Sequence, residues 1–299
     1  MNKFIRLFTD PWWGLSILLH HVFAHFIYSD RLYIKLDYFV GMRRFPNLRH
    51  PKTYNEKLQW LKLNNRHEEY TKLVDKYEVK PYIASLIGEE HIIPTLGVWD
   101  KFEDINFDTF PKQFVLKTTH DSGGVAVIKD KNNMDMKAVR KKLNKSLKRD
   151  FYLLHREYPY KNVKPRIIAE QFMVDESGTE LKDYKFFCFD GKVKFLFVAT
   201  DRAFDVRFDF FDSEFNHLPF KQGHTWAAKK IQKPENFESM KHIAEILSKG
   251  MPHVRVDLYN INGQIYFGEM TFFHFAGKVP FEPAEWDEKI GTWLKLPID

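Results

Sequence analysis

Apolar residues fall at helical spacing in several separate stretches of the chain and alternate with polar residues in others. Leu15, Leu18, Leu19, Val22 and Phe26 form one helical stripe, with Trp12 and Trp13 at one end. Thr53 and Glu56 make a capping box ahead of Leu58, Trp60 and Leu61. Tyr70 to Tyr77 reads as a further helix with Leu73, Val74 and Tyr77 inward, and Gly88 closes that region. Met136, Val139, Leu143 and Leu147 line one side of a helix over Asp135 to Arg149, and Met240, Ile243, Ala244 and Leu247 do the same between Glu235 and Lys249. Strand-like runs cover Val98-Trp99, Phe114 to Lys117, Val125 to Val127 and Ile167 to Met173. Two hairpins follow, Asp183 to Ala199 around Asp190-Gly191, and Val254 to Thr271 around Asn262-Gly263.

The last hairpin carries the most informative polar positions. Alternation puts Val254, Val256 and Leu258 on one face, and Arg255, Asp257 and Tyr259 on the other. A two-residue turn pairs Asp257 with Gly268 and sends Glu269 to the opposite face. A three-residue loop, Ile261 to Gly263 with the glycine left-handed, pairs Arg255 with Glu269. We adopt the second register, which gathers Arg255, Asp257, Glu269 and Thr271 on one face. Carboxylates that close repel one another unless a cation sits between them, and such oxygen ligands suit Mg²⁺, which keeps its waters and bridges to phosphates. A solvated hairpin face with an Arg255–Glu269 pair is the other reading of the same residues.

Upstream, Lys117 lies on a strand that enters His120-Asp121-Ser122-Gly123-Gly124, and a second alternating run leaves it. Adjacent glycines let backbone N–H groups approach a phosphate, and a lysine on the entering strand neutralises it. This is not a Walker sequence, because no helix signal follows and Gly-Lys-Ser is missing.

Further motifs join these: Pro51-Lys52-Thr53-Tyr54-Asn55-Glu56-Lys57-Leu58-Gln59-Trp60, Asp75-Lys76-Tyr77, Phe114-Val115-Leu116-Lys117, Asp183-Tyr184-Lys185-Phe186-Phe187-Cys188-Phe189-Asp190-Gly191 and Tyr266-Phe267-Gly268-Glu269. In this order the series resembles the TupA-like ATP-grasp proteins of bacterial surface-polysaccharide clusters, from about Tyr33 to Pro297. The resemblance implies an α+β fold, two lobes clasping ATP, with a helical N-terminal extension. It divides the chain into an extension (1–50), a helical region (51–110), a nucleotide-flap subdomain (111–173) and a metal-binding and acceptor subdomain (174–299).

The same resemblance implies a nucleotide site built from Lys76, Lys117, Ser122, Gly123 and Gly124, a hinge of Glu170, Gln171, Phe172 and Met173 around the adenine, and Asp183 at the ribose. It places Mg²⁺ on Asp257, Glu269 and Thr271, and makes Arg255 and Lys185 the catalytic groups. Thr271 stands where most ATP-grasp enzymes have Asn, so a hydroxyl replaces an amide in the metal set. An exposed helix lysine is the other reading of Lys76. The implied activity is ATP-dependent carboxylate–amine ligation through an acyl phosphate, with Arg255 holding the tetrahedral oxyanion. Its implied partners are an amine or amino acid and a uronic acid, either a small molecule or a lipid-linked precursor.

Composition narrows the rest. A chain of 299 residues with 44% hydrophobic and 16% aromatic residues holds a sizeable core and is not disordered. A net charge of +6 and a pI near 9.0 suit an anionic substrate or a membrane surface. No RNP-like, zinc-finger or helix-turn-helix signature is present, so nucleic acid is not an expected partner. Cys188, the single cysteine, excludes an internal disulfide, reads as a small core residue, and suits the reducing cytoplasm.

Pro11 to Ser29 is uncharged but too short and too rich in His20, His21 and His25 to span a bilayer, and it lacks a cleavage site. Such a helix either packs on the body or makes peripheral contact with the inner face of the bacterial inner membrane. His21 and His25, one turn apart, permit metal binding, although structural histidine is the plainer reading. The seven Lys and Arg around the helix at Asp135 to Arg149 read as a solvated face, or as an attraction to anionic lipid. Arg202 and Arg207 are expected near the acceptor, and Phe272 to Gly277 forms either a loop over its pocket or core. A glycosyltransferase would show an Asp-x-Asp motif; Asp201-Arg202-Ala203 is not one, and Asp209 and Asp212 are spaced too widely. A non-catalytic binding module is the remaining rival, and Thr271 in place of Asn is its best support.

Overall fold

In the computed structural model, which describes residues 9–175, 178, 181–201 and 205–298, the apolar runs form two antiparallel sheets over separate cores. The first contains β1 (Thr95–Trp99), β2 (Phe114–Thr118), β3 (Val125–Ile128) and β4 (Ile167–Gln171), in the order β1-β4-β2-β3. Phe114, Leu116, Ala126, Ile128, Ile167 and Ala169 turn to one side, where Leu143 of α6 (Met136–Leu147) covers them. The basic residues of α6 stay on its outer side, and Asp135 caps it by accepting from the N–H of Ala138 at 2.9 Å.

The second sheet holds β5 (Asp183–Phe189), β6 (Lys192–Thr200), β7 (Arg207–Asp212), β9 (His253–Ile261) and β10 (Gln264–Thr271), in the order β10-β9-β5-β6-β7. The short β8 (Lys221–Gln222) pairs separately with β11 (Phe281–Glu282). Phe186, Phe195, Phe197, Phe210 and Phe220 are fully buried in this lobe, each contributing about 1.5–3 kcal/mol by burial. Met240, Ala244 and Leu247 of α8 (Phe237–Leu247) close one side of it. Cys188 lies in this core as expected, and burial pushes its thiol up to about 12.

The helices fix the two lobes from below. In α3 (Tyr54–Asn64) the capping box forms as expected, Thr53 Oγ1 accepting from Glu56 N at 3.3 Å and Glu56 reaching back to Thr53 N. The next helix is shorter than expected. α4 (Glu69–Val74) stops because Asp75 is extended and its carboxylate accepts the N–H groups of Tyr77 and Glu78. Tyr77 is therefore exposed rather than inward, and Lys76 stands on a turn leading to α5 (Val79–Ile87). The remaining helices are α7 (Phe151–His155) and α9 (Glu285–Trp293).

At the N-terminus α1 (Pro11–His21) gives way at Val22 to a tight turn, Phe23–His25, followed by α2 (Asp30–Met42). Of the predicted stripe only Leu19 is buried, against Ala24, Tyr33 and Val40. Asp37 clasps this layer to the rest. It receives His20 Nε2 at 2.7 Å, His155 Nδ1 at 2.8 Å and Lys278 Nζ at 2.6 Å. Burial opposes charge on Asp37, but Lys278 and His155 outweigh it and hold the carboxyl well below its ordinary range. Among the described residues it is thus His20 and His155, not His21 and His25, that form a possible metal cluster. The ammonium of Lys278 already fills the cation's place there. No helix among the described residues is long and apolar enough to cross a membrane.

Candidate active site

The β9–β10 hairpin differs in register from the expectation while keeping its face. Asn262 and Gly263, both with positive φ, make a two-residue turn, and Gln264 pairs with Ile261. The three-residue loop and the pairing of Arg255 with Glu269 are therefore incorrect. A bulge at Gly268 slips the ladder instead, so that Glu269 pairs with Asp257 and Thr271 with Arg255. Glycine suits that point, because a Cβ would lie 3.0 Å from the Asp257 carbonyl oxygen and 3.1 Å from the Tyr259 ring. The bulge returns Arg255, Asp257, Glu269 and Thr271 to one face by another route.

On that face Arg255 is the hub. Its Nε donates to Asp257 Oδ1 and its Nη2 to Asp257 Oδ2, each at 2.7 Å. Nη2 also reaches Thr271 Oγ1 at 2.9 Å and Glu269 Oε1 at 3.3 Å. Nη1 donates to His274 Nδ1 at 2.7 Å, which places the imidazole proton on Nε2. Burial, with the charges of Arg255 and Lys185, keeps His274 neutral, its pKa well below the ordinary value. Across the sheet, β5 sets Lys185 opposite Asp257 and Asp183 opposite Tyr259. Lys185 pairs with Asp257 and, at 2.6 Å, with Asp183. Burial raises the Asp257 pKa against the pull of Arg255 and Lys185. Glu269 goes the other way: burial is outweighed by Lys185, Arg255 and Lys76, and its carboxyl sits low.

The first sheet supplies the facing wall. Lys117 meets Glu170 at 2.6 Å, and Lys80 of α5 meets the other oxygen of Glu170 at 2.6 Å. Burial opposes charge on Glu170, but Lys117 and Lys80 outweigh it. The Glu170 side chain is consequently engaged by lysines, and Gln171 N is bonded to the Pro94 carbonyl at 3.0 Å. Phe172 and Met173, both half-buried, follow the end of β4. Lys76 is no solvent-facing helix lysine: its Nζ donates to the Asp121 carbonyl at 2.5 Å, and it feels the charges of Glu269 and Lys117. It is bonded to the glycine loop and lies within the electrostatic reach of Glu269 on the acidic hairpin.

That loop is held at one end and open at the other. Asp121 binds Thr118 Oγ1 and Ser146 Oγ, and Arg149 Nη1 donates to Asp121 Oδ2 at 3.3 Å and the Ser122 carbonyl at 3.2 Å. At Gly124 a Cβ would collide with Thr118 Oγ1 and Ser146 Oγ. Gly123 has φ +94° and open space around it, as a loop presenting backbone to a phosphate requires.

Asp257 and Glu269 offer the carboxylate oxygens a hard divalent cation takes, and Arg255 and Lys185 hold both Asp257 oxygens in this structure, so a cation there would displace one of them. Asp257 and Glu269 lie side by side on paired strands, and their charges are balanced by Arg255 and Lys185. Thr271 already serves Arg255 through its hydroxyl. Asp209 and Asp212, by contrast, are spent locally, on Ala227 N and His217 and on Glu214 N and Asn216.

A family model described as TupA-like ATPgrasp matches residues 56–295. This chain belongs to the TupA-like ATP-grasp family. Its α+β architecture of two lobes is that expected from the motif series. No curated protein matches the chain. Solved structures similar to this ATP-grasp chain include D-alanine–D-alanine ligase from Bacillus anthracis in complex with ATP, at 18% identity and TM-score 0.38, covering 67% of this chain and 54% of that one. D-alanine–D-alanine ligase from Helicobacter pylori is similar at 17% identity and TM-score 0.39, covering 75% and 61%. An N5-carboxyaminoimidazole ribonucleotide synthetase in complex with ADP is similar at 15% identity and TM-score 0.40, covering 82% and 57%. The chain thus spans a little over half the length of these proteins, and all three likenesses are distant.

Sequence reading missed Lys80 and His274 in this candidate site. His274 stood in a phenylalanine-rich run read as loop or core, and Phe272 and Phe273 are indeed buried. Of the two arginines expected near the acceptor, Arg207 bonds to Asp205 and Thr225, and Arg202 lies outside the described residues.

Proposed function

We propose that this chain is an ATP- and Mg²⁺-dependent carboxylate–amine ligase, working in the cytoplasm or at the inner face of the inner membrane. Its substrates in this reading are a uronic-acid carboxylate of a surface-polysaccharide precursor, small or lipid-linked, and an amine or amino acid. The observation that carries the reading is the meeting of Lys185 and Arg255 around Asp183, Asp257 and Glu269, with Lys76 of the glycine-loop side within the field of Glu269 and of Lys117, which is itself held by Glu170 of β4.

A carboxylate is a poor acyl donor because its leaving group is oxide. One of its oxygens attacks the γ-phosphorus of ATP, the bond to the bridging oxygen breaks, and ADP leaves. The amine nitrogen then attacks the acyl-phosphate carbon, phosphate departs with the electron pair, and the proton that the nitrogen loses passes to that phosphate. Asp257 and Glu269 would hold Mg²⁺, which would supply neutralisation of the phosphate charge. Lys117, Lys76 and the N–H groups around Ser122 to Gly124 hold the phosphates, and Glu170 keeps Lys117 in place. Gln171, Phe172 and Met173 flank the adenine, and Asp183 the ribose. Lys185 steadies the transferred phosphoryl group. Arg255, fixed on four sides by Asp257, Glu269, Thr271 and His274, keeps a second Nη1 N–H for the oxyanion.

The test is a panel of uronic acids incubated with ATP, Mg²⁺ and hydroxylamine, which converts an acyl phosphate to a hydroxamate. A hydroxamate that needs both ATP and one class of acid supports the reading. ADP-free turnover of a nucleotide sugar would replace it with the glycosyltransferase reading.

A further inference from the structure

The N-terminal layer shows solvent an apolar face that its own packing leaves uncovered. α1 buries only Leu19, while Leu15, Leu18, Val22, Phe23 and Phe26 point outward; Leu18 is 42% exposed and Phe26 69%. Tyr28 and Leu32 extend the face into α2. Among the described residues no helix is long and apolar enough to cross a bilayer, and an eleven-residue helix such as α1 has the length to lie in an interface.

Charge selects among the surfaces that could cover them. Residues 11–50 contain five Lys or Arg against Asp30 and Asp37 alone; Arg44 is paired with Glu56 at 3.0 Å and Asp287 at 3.7 Å, which leaves Arg31, Lys35, Arg43 and Arg49 as the basic positions. Both aspartates are consumed internally. Asp30 binds Arg66 at 2.8 Å, Tyr152 at 2.6 Å and Arg156 at 3.2 Å, and Asp37 binds Lys278 and two imidazoles. Arg43 stacks 4.0 Å over the Trp12 ring, which sets a cation at the aromatic end of the face. Two copies of so basic a surface repel one another, whereas anionic headgroups complement it.

We propose that the face formed by α1, the turn after it and the start of α2 docks on an anionic bilayer surface. Leu15, Leu18, Val22, Phe23 and Phe26 enter the interface, and Arg31 and Arg43 meet the headgroups. The layer packs at the end of α2 against the segment that follows the His274 loop. At Gly41 a Cβ would stand 2.5 Å from the Lys278 carbonyl oxygen, and Lys278 closes the loop that carries His274 to Arg255. A lipid-linked acid is thereby presented at the loop; that last step rests on the ligase reading, and the docking does not.

The experiment is flotation of the full chain with vesicles of phosphatidylcholine alone, and with vesicles in which phosphatidylglycerol replaces a third of it. The parent floats with the anionic vesicles and not with the neutral ones, and added salt releases it as the Debye length shrinks. Leu18→Glu with Phe26→Glu lowers the bound fraction by roughly tenfold or more, and Arg31→Glu with Arg43→Glu lowers it and flattens the salt response. Circular dichroism and thermal melting check folding, and Phe26→Glu alone, at an exposed position, replaces the double variant if that unfolds. A folded parent that stays unbound overturns the proposal. So do apolar-face variants that float like the parent, or a dimer in solution that these variants dissociate without any vesicle binding. Loss of hydroxamate formation with flotation intact overturns the ligase reading alone.

Discussion

Replacing Asp257 by Asn removes the negative charge on which both Arg255 and Lys185 converge. The parent carboxylate is 1% exposed and takes two N–H bonds at 2.7 Å from Arg255, besides its pair with Lys185. Without it two buried cations share Asp183 and Glu269. Breaking one partner of a buried pair costs about 3–5 kcal/mol, and because Asn keeps the shape and one acceptor oxygen the lower end applies, about 3 kcal/mol. With an unfolding entropy of about 2.1 cal/mol/K per residue, a chain of 299 residues loses about 5 °C in Tm. A ligand at a hundred times its Kd adds about 2.7 kcal/mol, or about 4 °C on the same entropy. The assay is thermal melting of parent and Asp257→Asn, each with and without Mg²⁺ and a non-hydrolysable ATP analogue. The parent gains about 4 °C and the variant, already lower, gains nothing. A variant that melts lower but still gains the full increment would make Asp257 a purely structural residue. A variant that melts like the parent would refute the buried pair itself.

Other changes read other parts of the structure. His253 is buried, its Nδ1 donating to the Cys188 carbonyl and its Nε2 accepting from Tyr54, and burial lowers its pKa to about 4. The unfolded chain binds that proton below the ordinary value of 6.5, so stability is complete above it and is lost as pH falls toward 4. His253→Asn should therefore shrink its deficit against the parent by about 2 kcal/mol between pH 6.5 and 5, measured by urea unfolding. A constant deficit would contradict a neutral buried imidazole. Gly124→Ala must push Thr118 and Ser146 apart and should cost about 1–3 kcal/mol by thermal melting. It should also weaken analogue binding, and unchanged melting and affinity together would show that the loop has room to spare. His274→Ala should leave analogue affinity as it is and lower the yield of hydroxamate, because it loosens Arg255 rather than the phosphate groups. An equal loss of binding would move His274 into the nucleotide site.

The polar face of the last hairpin was legible in the sequence, but its register was not. Period-two alternation says which residues share a face until a bulge intervenes, and the bulge at Gly268 depends on how closely Asp257 and Tyr259 approach. A glycine inside a strand run was the available signal. Likewise, the spacing of Leu15, Leu18, Leu19, Val22 and Phe26 predicts a helix without saying which of them the body covers, and only Leu19 is covered. Lys76 was misplaced on a helix because the Asp75 carboxylate ends that helix by capturing Tyr77 and Glu78, a local competition that periodicity does not register. Lys80 gave no motif at all; it reaches Glu170 with its Nζ also donating to the Ile93 carbonyl and to Thr95 Oγ1 beside β4, a tertiary fact. The glycine loop, the lysine strand and the acidic hairpin were readable because each is a short chemical pattern on a regular element.

The central claim is a nucleotide site between the two sheets, with Lys117 on one wall and the acidic hairpin on the other. Calorimetric titration of the full chain with a non-hydrolysable ATP analogue, in Mg²⁺ and in chelator, beside Lys117→Ala, tests it most directly. Saturable binding at one site, dependent on Mg²⁺ and weakened by roughly tenfold or more in Lys117→Ala, is the predicted result. A folded parent that takes up no nucleotide at any Mg²⁺ concentration would contradict it.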